Sequence, residues 1–210
     1  MLIDLHCHTM PRSGCSAIDV AELIAHARRL GLDAVCLTEH DTLWDEKDVA
    51  ALSAEHGFPV LRGVEVTTEV GHVLAFGLDH FSPLFHIAAQ LRAAANVAGA
   101  VLVLAHPQRP GQPALTPDTR RALFETVEGI NGSDTPAQNE AALRLATGMP
   151  LPPIGGSDCH ALAEIGRAAT RLAHPVRTTA DLVAELKRGR HAPLWRDTLG
   201  LWRGCGGDRG

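Results

Sequence analysis

The chain has 210 residues, 45% of them hydrophobic, with a formal charge of -5, 4% aromatic residues and no tyrosine. That length and apolar content suffice for one domain with a sizeable core, while the acidic balance and scarcity of aromatics argue against a basic groove or stacking platform for long nucleic acid. Cys7, Cys15, Cys36, Cys159 and Cys205 are odd in number without framework spacing, and no basic leader or bilayer-length apolar run is present, so a cytoplasmic protein with no membrane attachment is expected.

Residues 2–6 (LIDLH) read as a strand that runs into two imidazoles. Residues two apart on a strand face the same way, so His6 and His8 converge on one point while Cys7 faces away. Further strand-like runs lie at 33–38, 59–66, 100–105, 126–131, 152–157 and 168–172. Segments of helical period alternate with them: Asp19 leads into VAELIAHARRL before Gly31, 45–55 ends at Gly57 and 83–97 near Gly99, and 117–124, 136–146 and 179–188 follow. Around Gly71, residues 64–77 alternate as a hairpin. This alternation predicts a βα-repeated parallel sheet, ending in a flexible tail at 198–210 that lacks periodicity.

On that map the chemistry gathers at the strands' carboxyl ends: His6 and His8; Glu39, His40 and Asp41; Glu65; His72 in the hairpin; His106; Asn131; Asp158 and His160. In a parallel barrel those ends share one rim, where active sites are built. Each histidine alone has a bland explanation as a turn or cap residue, but so many equipped strand ends point jointly to divalent metal ions. His26, His56, His80, His86, His174 and His191 fall elsewhere and are assigned to surface or packing.

The motifs DLHCHT (4–9), LTEHDT (37–42), GVEVT (63–67), HVLAFG (72–77), AHP (105–107) and GSDCH (156–160) resemble, in order and spacing, those of the PHP family, the polymerase and histidinol phosphatase superfamily. The resemblance runs from Asp4 to about Leu194. It implies a distorted (β/α)7 barrel over residues 1–197 with two or three divalent metal ions at its carboxyl rim, zinc, manganese or iron according to supply. Carried over by motif, His6, His8, Glu65 and Asp158 hold a first metal, Glu65 bridges to a second held by His72 and His106, and His40 and His160 hold a third. Two departures stand out. Glu39 replaces a common Asp and is expected to orient a His ligand from behind, and Arg12, Ser13, Gly14 and Cys15 stand where three-metal members place an extra ligand, which leaves the third site poorer.

The implied activity is hydrolysis of a small phosphomonoester, nucleotide or related phosphorylated metabolite through a metal-activated hydroxide. Glu65 serves as the bridging carboxylate, and Asp158 or His160 is the candidate proton carrier. Arg109 in HPQRP, then Arg12, are the guanidinium candidates for phosphate, and Asn131 for a hydrogen bond to substrate. The alternatives are a nuclease acting on oligonucleotide ends, or a non-catalytic metal-stabilised regulatory module. Retention of ligands in every motif favours the enzyme.

Overall fold

The computed structural model describes residues 1–204. Chain order is β1 (Leu2–Cys7), α1 (Val20–Arg29), β2 (Ala34–Leu37), α2 (Glu46–His56), β3 (Val60–Arg62), β4 (Val64–Thr68), β5 (Gly71–Phe76), a 3-10 turn (Pro83–His86), α3 (Ala88–Ala98), β6 (Val101–Leu104), α4 (Pro117–Leu123), β7 (Thr126–Asn131), α5 (Pro136–Ala146), β8 (Ile154–Gly156), a second 3-10 turn (Leu162–Glu164), β9 (Ala168–Leu172), α6 (Thr179–Lys187), β10 (His191–Arg196) and β11 (Trp202–Gly204). Helices α1, α4, α5 and α6 start at a side-chain cap. The Asp19 side chain accepts from Ala21 N ahead of α1, and Thr135 and Gln138 form a reciprocal capping box at α5.

The strands form two sheets, β11-β10-β9-β1-β2-β3 and β4-β5-β6-β7-β8. Alternation along the strands builds the core between and around them. Ile3, Leu5, Cys36, Leu61, Leu74, Phe76, Val103 and Ile154 share one buried cluster drawn from both sheets, while Cys7, Val35 and Leu37 turn the other way and pack with Leu23, Ile24 and Ala27 of α1. Both faces of these strands are therefore apolar, as expected of strands covered on two sides.

The expected parallel sheet is found in part: β1-β2, β2-β3, β6-β7 and β7-β8 pair in parallel, and β4-β5 form the antiparallel hairpin expected around Gly71, but β5 also runs antiparallel to β6, and β9 to β1 and β10. The predicted strand at 59–66 breaks at Gly63, where a Cβ would stand 2.8 Å from Phe76 Cδ1, and the chain passes there from one sheet to the other. The helix predicted over 83–97 divides at Ile87 into the 3-10 turn and α3. β10 carries Pro193, a residue that speaks against a strand interior; it fits because β11 pairs only with Leu194, Trp195 and Arg196, so no ladder donor is asked of it on that side. Within the predicted tail, Trp202–Gly204 form β11, Trp202 packs on the α1-side cluster and Asp197 accepts from Leu199 N and Leu201 N; positions 205–210 lie outside the described residues.

β8 packs tightly against β1. A Cβ on Gly156 would lie 2.4 Å from His6 Cβ and 2.8 Å from His6 N, so the backbone itself sits against the first histidine of β1.

His191, assigned from sequence to surface or packing, is buried. Its Nε2 donates to Pro152 O at 2.9 Å, its Nδ1 has no partner, and burial lowers its pKa from the ordinary 6.5. A histidine kept neutral in the fold stabilises it above the unfolded pKa, and that contribution is lost as pH falls through 6.5, because the unfolded chain takes up the proton first. His191→Gln is expected to flatten the stability profile on the acid side by at most about 1.4 kcal/mol per pH unit, read as the difference between urea denaturation curves of the two proteins from about pH 8 to pH 5.

Candidate metal centre

The parallel strands deliver their carboxyl ends to one rim, and the reversed β5 delivers its first residues there. His72 thus reaches the rim from the start of a strand, paired with Thr67, not from the carboxyl end assigned to it. Glu65, placed by sequence at a strand end, sits inside β4 with its backbone bridged to His40. Asp41, His106 and Asp158 take left-handed backbone at φ 49°, 27° and 52°, a conformation Asp and His tolerate better than most side chains.

His6 Nε2 lies 3.3 Å from Glu65 Oε2 and 3.4 Å from Asp158 Oδ1, and His8 Nε2 lies 3.2 Å from each of the same oxygens. Two donors at about 2.0–2.1 Å from one tetrahedral cation stand about 3.3 Å apart, so the spacing is that of a ligand shell. His6 Nε2, His8 Nε2 and Glu65 Oε2 are also buried with no hydrogen-bond partner, a costly arrangement unless something else satisfies them. The residues fit a divalent cation. Beside this group, Glu65 Oε1 is 2.9 Å from both His72 Nδ1 and His106 Nε2, and Glu65 Oε2 is 3.1 Å from His40 Nδ1. A further cluster of His8, His40 and His160 brings its donor atoms within 4.8 Å of one another, with the His8 ring 4.4 Å from His40 and 4.5 Å from His160.

The charges are mutually dependent. Burial opposes a proton on His6, but Asp158, Glu128 and Glu65 outweigh it and hold its pKa well above the ordinary range. Burial likewise opposes the His8 proton, and Asp158 and Glu65 push its pKa up to about 9. Burial alone would raise the Glu65 and Asp158 carboxyls, yet His6 and the surrounding imidazoles keep both well below the carboxylate range. The acids thus call for positive charge, and protons and cations compete for the same nitrogens. Asp4 differs: burial pushes its carboxyl up to about 6 while its Oδ1 accepts from His6 N and Ser157 N. It ties β1 to the turn after β8.

The other sequence candidates occupy the surroundings of this cluster. Arg109 donates Nη2 to Asp158 Oδ2 and to Asn131 Oδ1 at 2.9 Å, and Nε to Asp134 Oδ1 at 2.6 Å. Asn131 is fully buried and uses every polar atom: its Nδ2 donates to Glu128 and Asp158, and its Oδ1 accepts from Arg109 and Ser133 N. Of the two roles the sequence allows Asn131, a hydrogen bond to substrate or the pinning of a strand end, these bonds accord with the second. Arg12 turns away, its guanidinium 4.0 Å over the Trp44 ring and 3.4 Å from Asp48. Glu39 touches no imidazole; it accepts from Thr9, Ser13 Oγ and Trp44 Nε1, and reaches the histidines only through Ser13, whose Oγ accepts from His40 N and lies 3.4 Å from His8 Nδ1.

Glu128 escaped the sequence reading. Its Oε1 lies 3.0 Å from His6 Nδ1, and its Oε2 accepts from His106 N and Asn131 Nδ2, both at 2.9 Å. The available signal was an acid inside the buried strand run TVEGIN. Glu128→Gln turns an amide donor toward groups that require an acceptor. It is expected to weaken cation binding and kcat/KM by about 10–100-fold, the usual cost of removing such a support, with the fold retained; metal titration beside circular dichroism checks it.

Comparison with known proteins agrees with this layout. The PHP domain pattern matches residues 4–129 and a PHP-associated pattern residues 136–191. The chain is 34% identical over 85 residues to a 3',5'-nucleoside bisphosphate phosphatase of Chromobacterium violaceum, an overlap of 39% of this chain and only 29% of that protein. Among solved structures it is similar to PsfC of Pseudomonas syringae, at 20% identity and a TM-score of 0.70 over 95% of this chain and 92% of that one. A Bifidobacterium adolescentis structure provisionally assigned as a metal-dependent phosphoesterase gives 22% identity and a TM-score of 0.63 over 95% and 98%. With the pattern covering more than half its length, and the motif histidines and acids drawn to one rim, the chain belongs to the PHP family.

Proposed function

We propose that the protein is a metal-dependent hydrolase of phosphoric esters, acting on a small phosphomonoester, nucleotides included. The observation that carries this reading is the convergence of His6, His8, Glu65 and Asp158 on one buried point with donor atoms unspent. The name of the Chromobacterium relative supports a small phosphorylated substrate. The two sheets are read as halves of a distorted (β/α)7 barrel, supported by backbone bonds across both seams: Gly63 N to Leu37 O and Glu65 N to Glu39 O on one side, Asp158 N to His6 O on the other. Free thiols at Cys7, Cys15, Cys36 and Cys159 support the cytoplasm as its location; no described helix is long and apolar enough to cross a membrane.

In this reading His6, His8, Glu65 and Asp158 hold one cation, Glu65 with His72 and His106 a second, and His40 and His160, beside His8, a third. Bound divalent cations supply a water of lowered pKa and neutralise charge on a phosphoryl oxygen. The chain's own part is orientation and proton handling. Glu65 stays ionised across neutral pH and spans the groups. His160 donates Nδ1–H to Asp158 O at 3.0 Å, which leaves the Nε2 lone pair for a ligand bond or a proton. Arg109 braces Asp158 and keeps Nη1 as the donor for a phosphoryl oxygen.

The test is elemental analysis of the purified protein, followed by assays of the zinc-, manganese- and iron-loaded forms on phosphomonoesters, phosphodiesters and short oligonucleotides. Bound metal with monoester turnover is expected. Turnover confined to oligonucleotides would replace the reading with a nuclease, and metal without any turnover with a regulatory module.

A further inference from the structure

We propose that a cavity of about 500 Å³ beside the rim, between α5 and the β9–β10 edge, receives the organic part of the phosphoester, and that this part is a planar heterocycle of the nucleoside class. The proposal rests on the phosphoesterase reading above and names its substrate class. The volume is that of a small-molecule site.

Its position follows from strand pairing. The walls come from the end of β7, the first turns of α5, the approach to β9 at Arg167, and the end of β10 from Trp195 onward. β9 runs antiparallel to β1, with Leu2 opposite Arg171, and Trp195 pairs with Ala168. The entrance of β9 and the exit of β10 therefore stand at the same level as the end of β1 that carries His6 and His8. Asn131 and Asp134 belong to the cavity wall, and both also hold Arg109, which donates to Asp158. Asn131 and Arg109 thus link the cavity wall to Asp158, and the cavity lies beside the cation cluster at the level of the rim.

The lining chemistry selects the occupant. Ile130 and Leu143 supply apolar wall, and Trp195 remains 39% exposed, an uncovered aromatic where a flat ring can stack. Arg167 has its nearest carboxylate, Glu164, at 3.8 Å and a side chain about half exposed, which leaves guanidinium donors for the polar edge of a heterocycle. An aliphatic alcohol would use neither feature. A cavity of this size on a chain of charge -5 admits one nucleoside, not a strand.

The test uses the full chain, with adenosine and guanosine as phosphate-free probes. Saturable quenching of tryptophan fluorescence is expected, and its loss in Trp195→Leu. With a nucleoside monophosphate as substrate, Trp195→Leu and Arg167→Ala should each raise KM by about 10-fold or more, the factor expected when a base loses its stacking or edge partner. The preference for that ester over glycerol phosphate should fall equally. Arg167 is a surface side chain, so its variant keeps the test valid if Trp195→Leu folds poorly. Ester hydrolysis with no nucleoside quenching, or with the KM for the nucleoside monophosphate unmoved in Arg167→Ala, overturns this proposal and leaves the phosphoesterase reading standing. Nucleoside binding with no ester hydrolysed by any loaded form overturns that reading, and the leaving-group role with it.

Discussion

Asp158→Ala is expected to abolish cation binding and turnover together, with kcat/KM down at least about 1,000-fold, or about 4 kcal/mol of transition-state stabilisation. Asp158 Oδ1 faces both His6 Nε2 and His8 Nε2, while Oδ2 receives Arg109 and Asn131. Its removal empties one side of the ligand group and leaves a guanidinium in the gap, where it repels a cation. Alanine also strains a backbone held at φ 52°, at a cost of about 1–2 kcal/mol. Asp158→Asn, which tolerates that conformation and keeps the shape, separates ligand loss from strain and should be nearly as inactive. Elemental analysis after dialysis against metal, beside steady-state kinetics, decides the matter; a variant with full metal content and turnover would remove Asp158 from the centre.

Glu65→Gln is expected to be as damaging to activity and worse for the fold. One carboxylate stands within 3.3 Å of nitrogens on His6, His8, His40, His72 and His106. In chelator-treated protein Glu65 and Asp158 together offset the buried charge of His6 and His8, and neutralising Glu65 leaves part of that positive charge uncompensated, which costs about 3–5 kcal/mol. The sign with pH follows from the depressed Glu65 pKa. Its contribution is fully present above the ordinary 4.5 and is lost as pH falls toward the folded-state value. The gap between wild-type and variant denaturation midpoints should therefore be widest near neutrality and close in acid. A constant gap would mean that packing, not charge, holds the site.

Much of the centre is legible in the chain because its signals are local. His6 and His8 are two apart on one strand, Glu65 and His72 lie in one hairpin, and Asp158 and His160 share a turn. What the sequence hides depends on distant approach or strand direction. Glu128 looks like an ordinary strand residue until β1 and β7 meet, 122 positions apart. Asn131 and Arg109 look like free polar groups until Asp158 arrives between them. Arg12 reads as a loop cation near the site, and only Trp44 and Asp48 show where it is spent. The hairpin around Gly71 marks the reversal of β5, but that of β9 cannot be read from periodicity, since an apolar run reads alike in either direction.

The Gly156 contact with β1 sets where this protein can change over evolutionary time. With no room for even a methyl group against His6, that wall tolerates no drift, and a lineage seeking a new substrate must alter the connections around α5 and the end of β10 instead. Diversity among descendants of this chain should accumulate on that flank, with the glycine behind His6 held constant.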